Sequence, residues 1–518
     1  MKIRRKSSLL LLSTILIASS CSSKESKPTK FEVSDYITAA NDYIAENSSL
    51  VNTTFKNKYH LTAPIGWIND PNGFSEFNDE YHLFYQYHPY DAVWGPMHWG
   101  HQTTKDFIKW EHQDVALAPD MSYDQNGCFS GTALIDNGVQ YLYYTAVDQY
   151  QNQGVAYSYD GRTYKKHNEL IATGNDLPQG FSNADFRDPK VFKRDGKYYM
   201  LVGNKDDNTG LKQIIMLSAE DPLGPFTYSG VIYSRNDLGG IFECPDFTTI
   251  DGKDVLITSP QSIGSDEEYR FQNADSCVYL LGNLSVNTNK FYQTPETIME
   301  EFDKGFSFYA PQTMQTEDGR TMMVAWMRSW SEPNLTKEDM WCGAMTLPRE
   351  LTIKDNHIYQ APAREINNYL KNLVTHNDID LSNETYNLDD FSSRTSKITV
   401  TMNVDAISSG KCGIELFKGT KWSTRIYYDA AREYVIFNRT NSGSMMDGIR
   451  YAKVEPINGE IKLEIYLDVN SVEVFINDGY YTMTGTTFTP LGNDNVALFA
   501  ENCTASFSDL SKQEIRIE

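Results

Sequence analysis

Three carboxylates stand out because a proline follows each within two residues: Asp70 in "GWINDPNGF", Asp188 in "FRDPKVF" and Glu243 in "IFECPDF". Read locally, Asp70-Pro71-Asn72-Gly73 is a turn, with Asp, Pro and Gly in their favoured places. A turn has no need of Trp67 and Asn69 directly before its acid. Carboxylates gathered in one place do chemistry that single ones do not. Crowding and removal from water raise the pKa of one member, so that one acid can donate a proton while another remains an anion. That is the equipment of general acid–base and nucleophilic catalysis. What remains is to find elements that bring residues 70, 188 and 243 together.

A repeat supplies them. Five segments share a turn with Asn or Asp, usually with Gly, followed by an alternating aromatic and aliphatic strand. They are "NDEYHLFYQY" from Asn78, "DNGVQYLYYTA" from Asp136, "RDGKYYMLVG" from Arg194, "IDGKDVLITS" from Ile250 and "EDGRTMMVAWM" from Glu317. Their spacing of roughly sixty residues is that of an array of sheet units. Short turn-bounded strands with few helical patterns predict a propeller of five four-stranded blades. Asp70 lies eight residues before Asn78, Asp188 seven before Asp195, and Glu243 eight before Asp251; "CFSGT" and "FYAPQT" hold the matching places in the other two repeats. The innermost strands of a propeller surround one axis, so equivalent positions should meet there. Each nearby proline biases its predecessor toward extended backbone and interrupts the ladder.

The bulk composition is consistent with this picture. At 518 residues the chain is too long for one small core, and two domains are the natural division. A mean hydropathy of -0.49 with 13 % aromatics fits a β-rich protein in which most rings are core. The net charge of -23 excludes nucleic acid as a partner and suits a neutral substrate. "MKIRRK" followed by "LLLLSTILIA" reads as an export signal. Cys21 directly after the apolar run resembles a bacterial lipoprotein signal. The expectation is a lipid-modified Cys21 at an outer membrane (cell surface or periplasmic face), or otherwise a secreted chain. The other Cys residues show no metal-ligand or disulfide spacing, and most read as buried free thiols. No cofactor and no metal is expected.

"WINDPNG", "FRDPKVF" and "ECPDF", in this order, resemble the signatures of glycoside hydrolase family 32: the invertases, levanases, inulinases and other β-fructosidases. The likeness extends through "YHLFYQYHP", "WGPMHWGH", "CFSGT", "FYAPQT" and "WCGAMTLPREL". The resemblance implies a five-bladed β-propeller followed by a C-terminal β-sandwich, an all-β chain that hydrolyses β-fructofuranosidic bonds with retention. By motif position it implies Asp70 as nucleophile, Glu243 as general acid/base and Asp188 as transition-state stabiliser. It further implies sugar contacts from Asn69, Gln86, Trp94, Ser130 and Arg187. Asp70 must be ionised to attack, and a hydrogen bond from Asn69 or a neighbouring backbone N–H would serve that. A retaining pair of carboxyl groups stands about 5–5.5 Å apart. One departure is Ser307, before "FYAPQT", where many relatives carry an Asp; if that Asp binds sugar, one contact is lost. Trp94 is the favoured stacking platform, with Trp326 a second at the rim.

The boundaries expected are residues 1–21 as signal peptide, 22–55 as tether and extension, 56–357 as propeller, 358–376 as a linker with helical character, and 377–518 as sandwich. The last rests on period-two runs such as "SKITVTMNVDA" and "IKLEIYLDVNSVEVFIND", bounded by Asn, Gly and Asp turns. The sandwich shows no catalytic cluster and reads as a buttress. The leading reading is a fructan-degrading hydrolase acting on levan or inulin, and on sucrose as well. Its competitors are a fructosyltransferase, an inverting arabinofuranoside hydrolase, and a glycan-binding surface protein on the same scaffold.

Overall fold

The computed structural model describes residues 30–517; the signal segment and Cys21 lie outside the described residues. The Asp and Asn turns form as the repeat requires. Asn137-Gly138, Asp195-Gly196 and Asp251-Gly252 all have positive φ at both positions, which is the type I′ geometry that matches the twist of a tight hairpin. Each such hairpin joins the first two strands of a blade.

The five innermost strands are Gly66–Phe77, Gly127–Asp136, Phe181–Arg194, Phe242–Ile250 and Tyr309–Gln315. Each opens an antiparallel sheet of its own, and each packs against the next, the fifth against the first, closing a ring. The ring is also closed by hydrogen bonding: Trp341–Cys342, downstream of the fifth blade's second strand, pairs parallel to the first strand through Gly66 and Trp67. The inner edges of the other four blades stay unpaired but are short and protected by facing one another around the axis. Before it, a helix over Asp35–Asn47, capped by Ser34, buries Ile37, Ala40 and Ile44 against the first blade. The extension after about residue 30 is therefore structured.

The second body is a sandwich of a seven-stranded and a six-stranded antiparallel sheet. Ile398, Val400 and Met402 of one sheet alternate inward to meet Ile414, Leu416 and Val435 of the other. The linker is shorter than the sequence suggests. Residues 357–362 are the outer strand of the fifth blade, Leu370–Thr375 is already a strand of the sandwich, and only the 3-10 turn Arg364–Tyr369 lies between. Leu370 and Lys371 pair with Ile515 and Glu514 at the end of the chain, so tertiary pairing overrides the local helical pattern.

Where the two bodies meet, charge is buried. Arg349 of "LPREL" is fully buried; it donates to Asp303 at 3.2 Å and to Glu473 at 2.5 Å. His60 bridges Asp468 at 2.9 Å and Glu473 at 2.8 Å. Burial pulls the His60 pKa down, but its hydrogen bonds to Asp468 and Glu473 outweigh that and lift it to about 9. Burial likewise raises Glu473, and Arg349 with His60 more than reverses it, to about 2.

Candidate active site

All five innermost strands lose ladder register at the same height. The shifts fall between Ile68 and Pro71, Phe129 and Gly131, Arg187 and Lys190, Glu243 and Asp246, and Tyr309 and Gln312. A bulge bends its strand and re-aims a side chain, and here five bulges face one axis. The prolines mark the interruptions as expected, and Asp70 before Pro71 stays out of the left-handed region, but the other three predecessors do not remain extended. Asp188, Cys244 and Ala310, each directly before Pro, have φ of 67°, 44° and 50°. The bulge turns the chain through the left-handed region, a strain of order 1–3 kcal/mol per residue that surrounding packing must hold. At Cys244 this geometry aims the backbone N–H at Asp188 Oδ2, at 2.9 Å.

The bulges bring the three acids together. The Cys244 thiol lies 3.5 Å from Asp70 Oδ2 and 3.6 Å from Asp188 Oδ2, while Glu243 is the residue before it. Asp70, Asp188, Glu243, Asn69, Gln86, Trp94, Ser130 and Arg187 all line one cavity of about 490 Å³. Gln312 crosses between blades next to it, lining a small adjoining cavity with Ser130 and Asp188. Gln312 Oε1 accepts from Phe74 N at 2.8 Å, and its Nε2 donates to Gly131 O at 3.0 Å and Pro71 O at 3.3 Å. One side chain thus ties the first, second and fifth blades beneath the acids.

Each acid has a different environment. Ser130 Oγ donates to Asp70 Oδ2 at 2.6 Å, whereas Asp70 Oδ1 is buried with no hydrogen-bond partner. Asn69 does not serve Asp70 as the sequence suggests; its Oδ1 accepts from Trp67 Nε1 at 2.8 Å, and the second blade supplies the donor instead. Glu243 Oε1 accepts from Arg187 Nη2 at 2.9 Å and Nε at 3.2 Å, and its Oε2 from Tyr309 OH at 2.7 Å. Burial lifts the Glu243 carboxyl to about 7; Asp188 and Asp70 add to the rise, while Arg187 and the Tyr309 hydroxyl oppose it. Burial lifts Asp188 to about 6, with Asp70 adding and Arg187 and the Cys244 N–H opposing. The cluster therefore holds a proton near neutrality, on groups aimed into a cavity.

Two aromatic and polar expectations change. Trp326 is 0 % exposed and belongs to the core, while Trp330, four residues on, is 37 % exposed and forms the rim. Trp330 stacks on Trp67, with centroids 6.1 Å apart and planes 23° off parallel. Trp94 is 48 % exposed and meets Phe129 edge-on. Ser307 does not line the cavity; it is fully buried and donates to Glu332 at 2.8 Å beside the sandwich, so its departure from Asp removes no contact from this site. The sequence reading missed Gln151, Asp185, Gln261, Trp330 and Tyr309. Tyr309 sits in a quoted motif and Asp185 two residues before Arg187, but Gln151 and Gln261 carry no local signal. Among the described residues no cluster of His, Cys, Asp and Glu is arranged to hold a metal ion.

A five-bladed propeller with three carboxylates converging at one axial pocket defines a class of glycoside hydrolases. Family models place the chain within it: the glycosyl hydrolases family 32 N-terminal domain matches residues 60–362 and the family 32 C-terminal domain residues 365–514. The chain is 33 % identical over 482 residues to a sucrose-6-phosphate hydrolase of Zymomonas mobilis, covering 88 % of this chain and 91 % of that protein. It is 30 % identical over 492 residues to a levanase of Bacillus subtilis, covering 88 % of this chain and 70 % of that one. The solved GH32 beta-fructofuranosidase of Bombyx mori superimposes with a TM-score of 0.79 at 28 % identity, covering 92 % of this chain and 98 % of that one. The chain belongs to glycoside hydrolase family 32 and is a β-fructosidase.

Proposed function

We propose that the protein removes terminal fructosyl units from uncharged fructans, and from sucrose as the shortest such substrate, by double displacement with retention. The observation that carries this is the set of three unequal carboxylates lining one pocket. In this reading Asp70 attacks the anomeric carbon as Glu243 gives its proton to the leaving oxygen. Glu243 then takes a proton from water, which breaks the fructosyl–Asp70 bond. Asp188 holds hydroxyl groups of the ring as positive charge develops. Gln312 beneath the acids favours a chain end over a chain passing through.

The pocket lining supports a neutral substrate over a phosphorylated one. It holds four carboxylates, Asp70, Asp185, Asp188 and Glu243, against one guanidinium, Arg187. That guanidinium is already paired with both Asp185 and Glu243. A phosphate at ~6 Å from a carboxylate meets roughly 3 kcal/mol of repulsion per charge pair at an effective dielectric of about 20.

The test is product analysis on levan and inulin, with the anomer followed by NMR, and kcat/KM for sucrose against sucrose 6-phosphate. Free fructose released first as the β anomer is expected, with the phosphorylated sugar the poorer substrate. Oligosaccharides as first products, initial α anomer, or a preference for the phosphate would each overturn the corresponding part. Export and anchoring through Cys21 complete the reading, supported by the basic, apolar and Cys order of the first 21 residues. Labelled palmitate should enter the wild-type chain and not Cys21→Ser; equal or absent labelling removes the anchor.

A further inference from the structure

Asp185 lines the cavity but has no part in the three-acid mechanism. Its place is nonetheless built. Its backbone N–H donates to Ser182 Oγ at 3.2 Å and its carbonyl accepts from Asn204 Nδ2 at 2.7 Å. From there Oδ1 accepts from Arg187 Nη1 at 2.8 Å, and Oδ2 stands 3.9 Å from Lys205 Nζ. Arg187 presents its other edge, Nε and Nη2, to Glu243 Oε1. The guanidinium is thus shared edge to edge between a carboxylate at the rim and the carboxylate at the reacting centre. Gln151 Oε1, from the second blade, takes a longer bond from Nη1 at 3.3 Å and also accepts from Phe186 N.

We propose that Asp185 is a positioning residue that sets the proton affinity of Glu243 by dividing the charge of Arg187. The proposal rests on the reading above, in which Glu243 donates the proton. A general acid held in a two-pronged bond by a full guanidinium charge would be kept ionised, since an opposite charge at that range favours the charged form. Glu243 is faced by Arg187 and Asp188 from the third blade, Asp70 from the first, Tyr309 from the fifth and Cys244 on its own strand. Arg187 and the Tyr309 hydroxyl favour the anion. Burial, Asp188 and Asp70 favour the acid, and the balance is close enough for Asp185, as the partner of Arg187, to matter. Arg187 cannot lose its proton to relieve the conflict, so a second carboxylate is the available way to weaken its pull while keeping it in place.

The experiment is the pH dependence of kcat/KM on sucrose for wild type, Asp185→Asn, Asp185→Glu and Gln151→Leu. Asp185→Asn should lower the pH of half-activity on the alkaline side by about one pH unit, with the acid side unmoved. Asp185→Glu should restore most of the wild-type profile. Gln151→Leu removes an uncharged acceptor from the same Nη1, so it should lower kcat/KM without lowering that alkaline pH. An unmoved or raised alkaline side in Asp185→Asn overturns the proposal, as does a uniform loss of activity at every pH or an equal displacement in Gln151→Leu. Glu243→Gln run alongside separates the two ideas. Activity in Glu243→Gln removes the underlying reading, whereas an inactive Glu243→Gln with an unmoved Asp185→Asn profile removes only the role of Asp185.

Discussion

Ser130 Oγ donates to Asp70 Oδ2 at 2.6 Å across the gap between the second and first blades. The bond holds Oδ2, while Oδ1 is buried and without a partner. Hydrogen bonds to charged groups contribute about 1.5–3 kcal/mol. Ser130→Ala should therefore lower kcat by about 10- to 150-fold with the fold intact, measured by steady-state kinetics and near-UV circular dichroism. A change below threefold would mean that the contact does not orient the nucleophile.

Asp70→Asn and Glu243→Gln should each abolish turnover while the melting temperature stays close to wild type. The two amides are near-isosteric, so loss of activity would report chemistry and not packing. Substantial hydrolysis of sucrose by either variant contradicts the role assigned to that residue.

In the proposed role Glu243 must be protonated to act, and burial lifts its carboxyl to about 7. Activity should therefore be present below that pH and fall as pH rises through it. Tyr309 OH donates to Glu243 Oε2 at 2.7 Å and favours the anion, so Tyr309→Phe should move the alkaline side of the kcat/KM profile upward. A downward displacement would show that the phenol hydroxyl instead supports the protonated form.

The buried network between propeller and sandwich predicts a pH-dependent stability. His60 has its pKa raised from 6.5 to about 9 in the folded chain. Its contribution is full below about 6.5 and is lost as pH rises through about 9. His60→Gln leaves Asp468 without its cation and should cost about 3–5 kcal/mol at pH 7. Thermal unfolding of the two proteins should converge above pH 9; a constant gap across that range would assign the cost to shape and not to charge.

At the rim, Trp94→Ala should raise KM about tenfold with little change in kcat, since an aromatic face adds binding without touching the reacting atoms. Trp326→Ala should instead lower the melting temperature, because that ring is wholly buried. Reversal of the two outcomes would exchange their positions between rim and core.

The repeat was legible because its signals are local. An Asn-Gly or Asp-Gly pair before an alternating run specifies a hairpin from its own residues, and five such hairpins specify equivalent places for residues 70, 188 and 243. The three acids and their prolines were readable for that reason, while the five sugar-contact candidates came only from the resemblance to the family 32 motifs; all eight side chains line one cavity. Residues 358–376 misled because a helical pattern there gives way to pairing with the end of the chain. Trp326 and Trp330 are chemically alike and four apart, so nothing local says which one faces the cavity.

What the sequence determined alone was therefore the fold class, the order of the blades and the equivalent places of the three acids, all properties of short segments and their repetition. Tertiary structure decided how charge is distributed among them: that Ser130 and not Asn69 holds Asp70, that Arg187 is shared between Asp185 and Glu243, and that His60 and Arg349 lock the sandwich to the propeller. Those relationships cross blades and domains, where energy depends on distances of a few ångström and on the removal of water, and neither quantity is written in the order of the residues.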